Sequence, residues 1–181
     1  MITPAASRVL PDSLAYRPPF EPPAAPITVL GVGNLIMGED SIGLVLLERL
    51  QATLDDPRIA FVDGATGGME LLPVIQDATR LLILDAVAGP VPGTVVEIDG
   101  DQVPRLLATK LSPHQVGLLD LFAAARMLGT EPSLVSVVGI VPGHVDLTLN
   151  MTEPVTAALD EAVARATAVI TGWLDALDPE D

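Results

Sequence analysis

From Ile27 onward the chain alternates short runs of branched aliphatic residues with longer stretches whose apolar residues recur every three to four positions. Strands are expected at Ile27–Val32, Arg58–Asp63, Leu81–Val87, Thr94–Ile98 and Leu134–Val141. Helices are expected at Ser41–Leu54, Met69–Asp77, Pro113–Leu128 and about Glu153–Leu177. Such an alternation makes the helices crossovers between parallel strands and covers both faces of the sheet. Pro92-Gly93 turns tightly into Thr94–Ile98, and so short a crossover puts that strand at an antiparallel edge. The expected fold class is α/β: a three-layer α/β/α sandwich around a mostly parallel, mixed sheet of about five strands. On the last helix Val155, Leu159, Ala162, Ala166, Val169, Ile170, Trp173 and Leu177 keep the spacing of a stripe facing a core.

Apolar residues make up 49% of the chain, yet only five are aromatic, and Tyr16 and Phe20 precede the first strand. The core is therefore built from Leu, Val, Ile and Ala. Residues 1–26 hold seven of the seventeen prolines, Pro18-Pro19 and Pro22-Pro23 among them, and show no period of helix or strand. They read as an extended arm ahead of one α/β domain at 27–181. Twenty-four acids against nine Lys and Arg give a net charge of −15, and the nine are scattered singly. No basic stripe exists for phosphates or anionic headgroups, so neither nucleic acid nor a membrane is expected as a partner. The lack of cysteine excludes disulfides, thiolate catalysis, zinc fingers and iron-sulfur ligation. With no signal-peptide pattern and no uninterrupted apolar run of about 18 residues, a cytoplasmic protein is expected.

Three stretches carry the chemistry: Gly31-Val-Gly-Asn-Leu-Ile-Met-Gly-Glu-Asp40, Leu81-Leu-Ile-Leu-Asp85 and Ser112-Pro-His114-Gln115. Each follows or closes an apolar run and ends in a group able to hold a metal ion: Asp40, Asp85 and His114. If their strands lie side by side, two carboxylates and an imidazole converge on one edge of the sheet. Each also has an ordinary reading. Asp40 sits where a helix starts and would serve as an N-cap. Glu39 beside it is harder to dismiss, because the pair lies at the carboxyl end of a strand, where open α/β sheets bind ligands. Asp85 would start a turn, but it ends a run apolar enough for a central strand, and a carboxylate there needs a partner.

Around His114, Ser112 reads as an N-cap, Pro113 as the first helical residue and Gln115 as the far half of a capping box. A helix N-terminus disfavours imidazolium, which keeps the ring neutral as metal ligation requires; the ordinary reading is a capping surface histidine. His144, after the last strand, is read as a loop residue. The Gly31-Val-Gly33 turn suggests dinucleotide binding, but position 36 is Ile where that fingerprint has its third glycine, and Asp63 lies too far on for the ribose acid. No His-Glu-x-x-His or Gly-x-Ser-x-Gly motif is present, so any hydrolysis would be metal-assisted.

On these residues the chain resembles the nickel-iron hydrogenase maturation endopeptidases, through Val29-Leu-Gly-Val-Gly-Asn-Leu, Asp63-Gly-Ala-Thr-Gly-Gly-Met-Glu-Leu-Leu, Leu84-Asp-Ala and Lys110-Leu-Ser-Pro-His-Gln-Val-Gly-Leu. The resemblance implies a single α/β/α domain that removes a C-terminal extension from the hydrogenase large-subunit precursor once nickel is installed. It makes that precursor the binding partner. The family's metal-binding acid, acid and histidine fall on Asp40, Asp85 and His114. Where the family commonly has Asp-Asp or Asp-Glu followed by Gly or Ala, this chain has Glu39-Asp40-Ser41, so Glu39 is an alternative ligand. Asp63 is a candidate for substrate contact or general-base help. An Asp, Asp and His set suits nickel or zinc without choosing between them. The nickel is expected to ride on the substrate, with zinc or cadmium able to substitute. The competing reading is a non-enzymatic maturation chaperone or nickel-delivery protein with the same ligands.

Overall fold

The computed structural model describes residues 25–103 and 113–178, without the side chains at 101, 113–117 and 119. The arm up to residue 24, Ser112 and the side chains of His114 and Gln115 therefore lie outside the described residues. Strands β1 (Ile27–Val32), β2 (Ile59–Ala65), β3 (Arg80–Ala86), β4 (Val95–Asp99) and β5 (Leu134–Ile140) form one sheet in the order β2-β1-β3-β5-β4. The first four in that order run parallel, and β4 pairs antiparallel with β5 at the edge. The described helices are α1 (Ile42–Thr53), α2 (Leu72–Asp77), α3 (Pro113–Leu128) and α4 (Glu153–Asp175). The expected α/β architecture, its mixed sheet and its antiparallel edge are all present.

Alternation along the strands sorts the core into two layers. Ile27, Val29, Leu82, Leu84, Val138 and Ile140 face α1 and α4. Leu30, Val32, Leu81, Ile83 and Val137 face α2 and α3. The apolar run Leu81–Leu84 is wholly buried because β3 is the middle strand with helices on both sides. On α4 the stripe falls where its spacing puts it: Val155, Leu159, Ala162, Ala166 and Ile170 are buried, while Val169, Trp173 and Leu177 pack partly against the same layer. Each fully buried large aliphatic stabilises the fold by roughly 1.5–3 kcal/mol.

Element ends differ from the sequence expectation in three instructive places. Helix α1 begins at Ile42, because Gly38–Ser41 winds as a separate 3-10 turn. Asp40 therefore lies inside that turn and is not an N-cap. Ser41 takes the cap position of α1 without capping it, its Oγ donating to the Gly38 carbonyl at 2.5 Å. The second helix splits into a 3-10 turn, Met69–Leu71, and α2, since Pro73 has no N–H to give and fits only a first turn. Strand β2 runs past Asp63 to Ala65, with Gly64 as an extra residue against β1.

Candidate functional site

Parallel pairing brings the carboxyl ends of β2, β1 and β3 to one edge. Asp63, Gly31 and Leu84 stand in a row across those strands, and Asp85 lies one residue beyond. The chain leaving β1 must double back over this edge, and glycines make that possible. Gly33 has φ of 143°, and a Cβ there would sit 2.0 Å from the Asp40 carbonyl oxygen. Gly43, in the first turn of α1, would place a Cβ 2.2 Å from the Leu84 carbonyl oxygen and 2.3 Å from that of Val32. The helix start thus rests directly on the ends of β1 and β3, and the Gly38–Ser41 turn packs on β3. The Gly31-Val-Gly33 turn serves this close packing, which removes the ground for a dinucleotide reading.

The result is a concentration of buried polarity. Of six buried polar or charged residues among those described, Glu39, Asp40, Ser41 and Asp85 lie here. Asp85 is fully buried on the central strand, with its Oδ1 accepting the Ala86 N–H at 2.7 Å. Asp40 is 4% exposed on the turn above the neighbouring strand end. Two carboxylates on adjacent strand ends, both out of solvent, are costly to keep charged unless a cation or donors face them.

Glu39 does something else. Its Oε1 accepts the Thr152 N–H at 2.7 Å and the Thr152 hydroxyl at 2.5 Å. Its Oε2 accepts the N–H groups of Gly143 at 2.5 Å and His144 at 3.2 Å. Burial pushes its pKa up, but the Thr152 hydroxyl and the three backbone donors outweigh that and hold it below the ordinary value. Glu39 thereby caps α4 from outside: Thr152 holds the N-cap position but makes no side-chain cap bond. With both oxygens occupied by protein donors, Glu39 is a clamp between the site turn and the loop after β5. His144 is exposed in that loop, as expected, and contributes its backbone.

Asp63 is at the same edge but separated from Asp85 by β1. Its carboxylate is exposed and folds back to accept the Ala65 N–H at 2.8 Å, bracing a turn in which Ala65 has φ of 43°. His114 lies in the first turn of α3. That helix ends just before β5 enters the sheet at its amino edge, where Ser133 N–H reaches the Thr79 carbonyl. Its first residues therefore lie toward the carboxyl edge, the side of Asp40 and Asp85. Among the described residues no three His, Asp or Glu side chains form a ready metal cage.

A family model described as hydrogenase maturation protease matches residues 44–169. The Hydrogenase 2 maturation protease of Escherichia coli (strain K12) is 34% identical over 147 residues, covering 80% of this chain and 90% of that protein. The chain belongs to the hydrogenase maturation protease family. The hydrogenase expression/formation protein HupD of Rhodobacter capsulatus is 34% identical over 160 residues, covering 86% of this chain and 75% of its own. Among solved structures, the hydrogenase maturating endopeptidase HybD from E. coli superposes with a TM-score of 0.76 at 34% identity, over 81% of this chain and 92% of that one. The [NiFe] hydrogenase maturation protease HybD from Thermococcus kodakarensis gives 0.64 at 25% identity, over 79% and 97%.

As a hydrogenase maturation endopeptidase, this chain is a hydrolase. Two parts of its site were not legible beforehand. The partners of Glu39 lie 104 to 113 residues further on, beyond any local pattern. Thr152 carries the spacing of a helix cap, and only the fold shows its hydroxyl turned to Glu39.

Proposed function

We propose that this endopeptidase removes the C-terminal extension of a nickel-iron hydrogenase large-subunit precursor, and that Asp40, Asp85 and His114 recognise nickel already seated on the precursor. The observation that carries the reading is the placement of Asp40 and Asp85 on adjacent strand ends, both buried, with His114 opening a helix toward the same edge. The donor set fits a borderline metal: two hard carboxylate oxygens and one imidazole, with positions left for other ligands. Bound there, nickel supplies positive charge that offsets the two buried carboxylates and polarises an oxygen near it. Glu39 is assigned to holding the turn, so Asp40 is the ligand of the pair. Asp63, exposed on the next strand end, is assigned to precursor contact. Zinc or cadmium would occupy the same donors.

Among the described residues no helix is long and apolar enough to cross a membrane. We place the protein in the cytoplasm, with the precursor.

The test is to mix purified protein with nickel-loaded and nickel-free precursor and weigh the products. Only loaded precursor should lose its extension, and Asp85→Asn or His114→Ala should abolish the loss without a fall in melting temperature. Equal trimming of both precursors would sink nickel recognition. The relatives' description as proteases disfavours the alternative of a non-enzymatic chaperone or nickel-delivery protein; a precursor that is bound but never shortened would restore it.

A further inference from the structure

The loop after β1 and the loop after β5 are stitched together beside the acids. Gly38 N–H donates to the Thr148 carbonyl at 2.8 Å, and Thr148 N–H donates to the Ile36 carbonyl at 3.1 Å. This single parallel bridge, Met37 to Thr148, joins the turn after β1 to the loop after β5 as a short ledge. Thr148 turns toward Gly38, where its Cγ2 leaves only 2.8 Å for a Cβ. Leu147 and Leu149, flanking Thr148, are 78% and 79% exposed, and Leu35 and Ile36 in the turn across the bridge are 58% and 56% exposed. Four large aliphatic side chains stand in solvent on a ledge whose two loops are also clamped by Glu39 through Gly143 and His144.

We infer that this ledge is the docking surface for the precursor polypeptide, gripping an apolar, non-acidic extended segment beside the scissile bond. The inference rests on the endopeptidase reading above. Three observations choose the occupant. Four such side chains make a patch of a few hundred Å², the scale of functional apolar patches, and short of the roughly 800 Å² per partner that a stable dimer needs. Next, Asp63, Glu70 and Asp146 are exposed at or just beyond the carboxyl edge of the sheet, in a chain of net charge −15, so an acidic segment or an anionic surface is repelled. Last, Ile36 precedes Asp40 by only four residues, so the ledge lies within about 14 Å of the acid. An extended peptide covers that distance in four or five residues, which places the gripped side chains within about five positions of the cut.

The test uses the full-length protein and nickel-loaded precursor. Leu147→Asp/Leu149→Asp is compared with wild type and with Met127→Asp, a control 89% exposed at the far end of α3. Cleavage kinetics, precursor binding by calorimetry, melting temperature and sedimentation are measured for each. The ledge variant should raise KM and Kd by tenfold or more, with kcat at saturation within about twofold and an unchanged melting temperature; Met127→Asp should change nothing. Wild-type KM in the ledge variant overturns the docking surface while leaving the endopeptidase reading intact. Precursor binding that the ledge variant loses, in a wild type that never cuts, sustains the ledge and overturns that reading. A dimer that dissociates in the ledge variant with KM unchanged assigns the leucines to a second copy and overturns the proposal.

Discussion

The two adjacent acids of the β1 turn are chemically alike and structurally opposite. Glu39 has both oxygens filled by four donors that tie two loops together, whereas Asp40 is buried on the turn that packs on β3. Glu39→Gln replaces one oxygen with a donor that must confront N–H groups, so it should cost about 2–3 kcal/mol and lower the melting temperature by roughly 5–10 °C. Asp40→Asn keeps the shape and one acceptor oxygen of a buried side chain, so it should lower melting less than Glu39→Gln does and abolish processing. Reversal of the two outcomes, read by calorimetry and product mass, would make Glu39 the ligand. The same clamp predicts acid sensitivity. Because the folded pKa of Glu39 is depressed, its contribution is fully present above its unfolded pKa. It is lost as pH falls through the lower folded value, so wild type should lose stability below about pH 4 and Glu39→Gln should lose less there.

At the scale of elements, most of the architecture was legible because hydrophobic period and burial agree. Leu81–Leu84 has no polar interruption and is the central strand; Pro113 marks a helix start; Pro92-Gly93 enters an antiparallel edge. What local pattern could not show is how closely elements approach. Gly43 reads as a weak helix former in the first turn of α1, yet it is the contact on which that helix rests. Asp40 looked like a cap because a 3-10 turn and an α-helix share their opening chemistry, and only packing on β3 tells them apart. Gly43→Ala puts a methyl group against two strand carbonyls that cannot yield, so α1 must lift. A loss of about 3 kcal/mol is expected, with a fall in melting temperature on the order of 10 °C. Processing well below the melting point should drop by more than the folded fraction does, since Asp40 moves relative to Asp85. A Gly43→Ala protein with wild-type melting would mean that helix and strands are less tightly apposed than 2.2 Å implies.

For the whole molecule, the excess of fifteen negative charges sets the response to salt. Two effects oppose each other. The described ion pairs are surface pairs: Arg49 with Asp160, Arg58 with Asp56 and Asp178, Arg126 with Glu131, and Arg165 with Glu161. Pairs this exposed contribute little each and weaken as salt is added. Arg58 is the best placed of these cations, joining the loop before β2 to the end of α4, and its hydrogen bonds hold the Asp56 carboxyl at about 2. Against them stands repulsion among 24 acids that only nine cations offset, crowded in the folded state and relieved when the chain expands. At 10 mM salt the screening length, about 30 Å, spans the molecule; at 0.1 M it is about 10 Å and distant acids no longer feel one another. Repulsion is the larger sum, so melting temperature should rise by several degrees between 10 mM and 0.5 M sodium chloride at pH 7. Arg58→Gln should lower it at low salt and rise along the same slope. A melting temperature that falls with salt would show instead that the four arginine clusters outweigh the net charge.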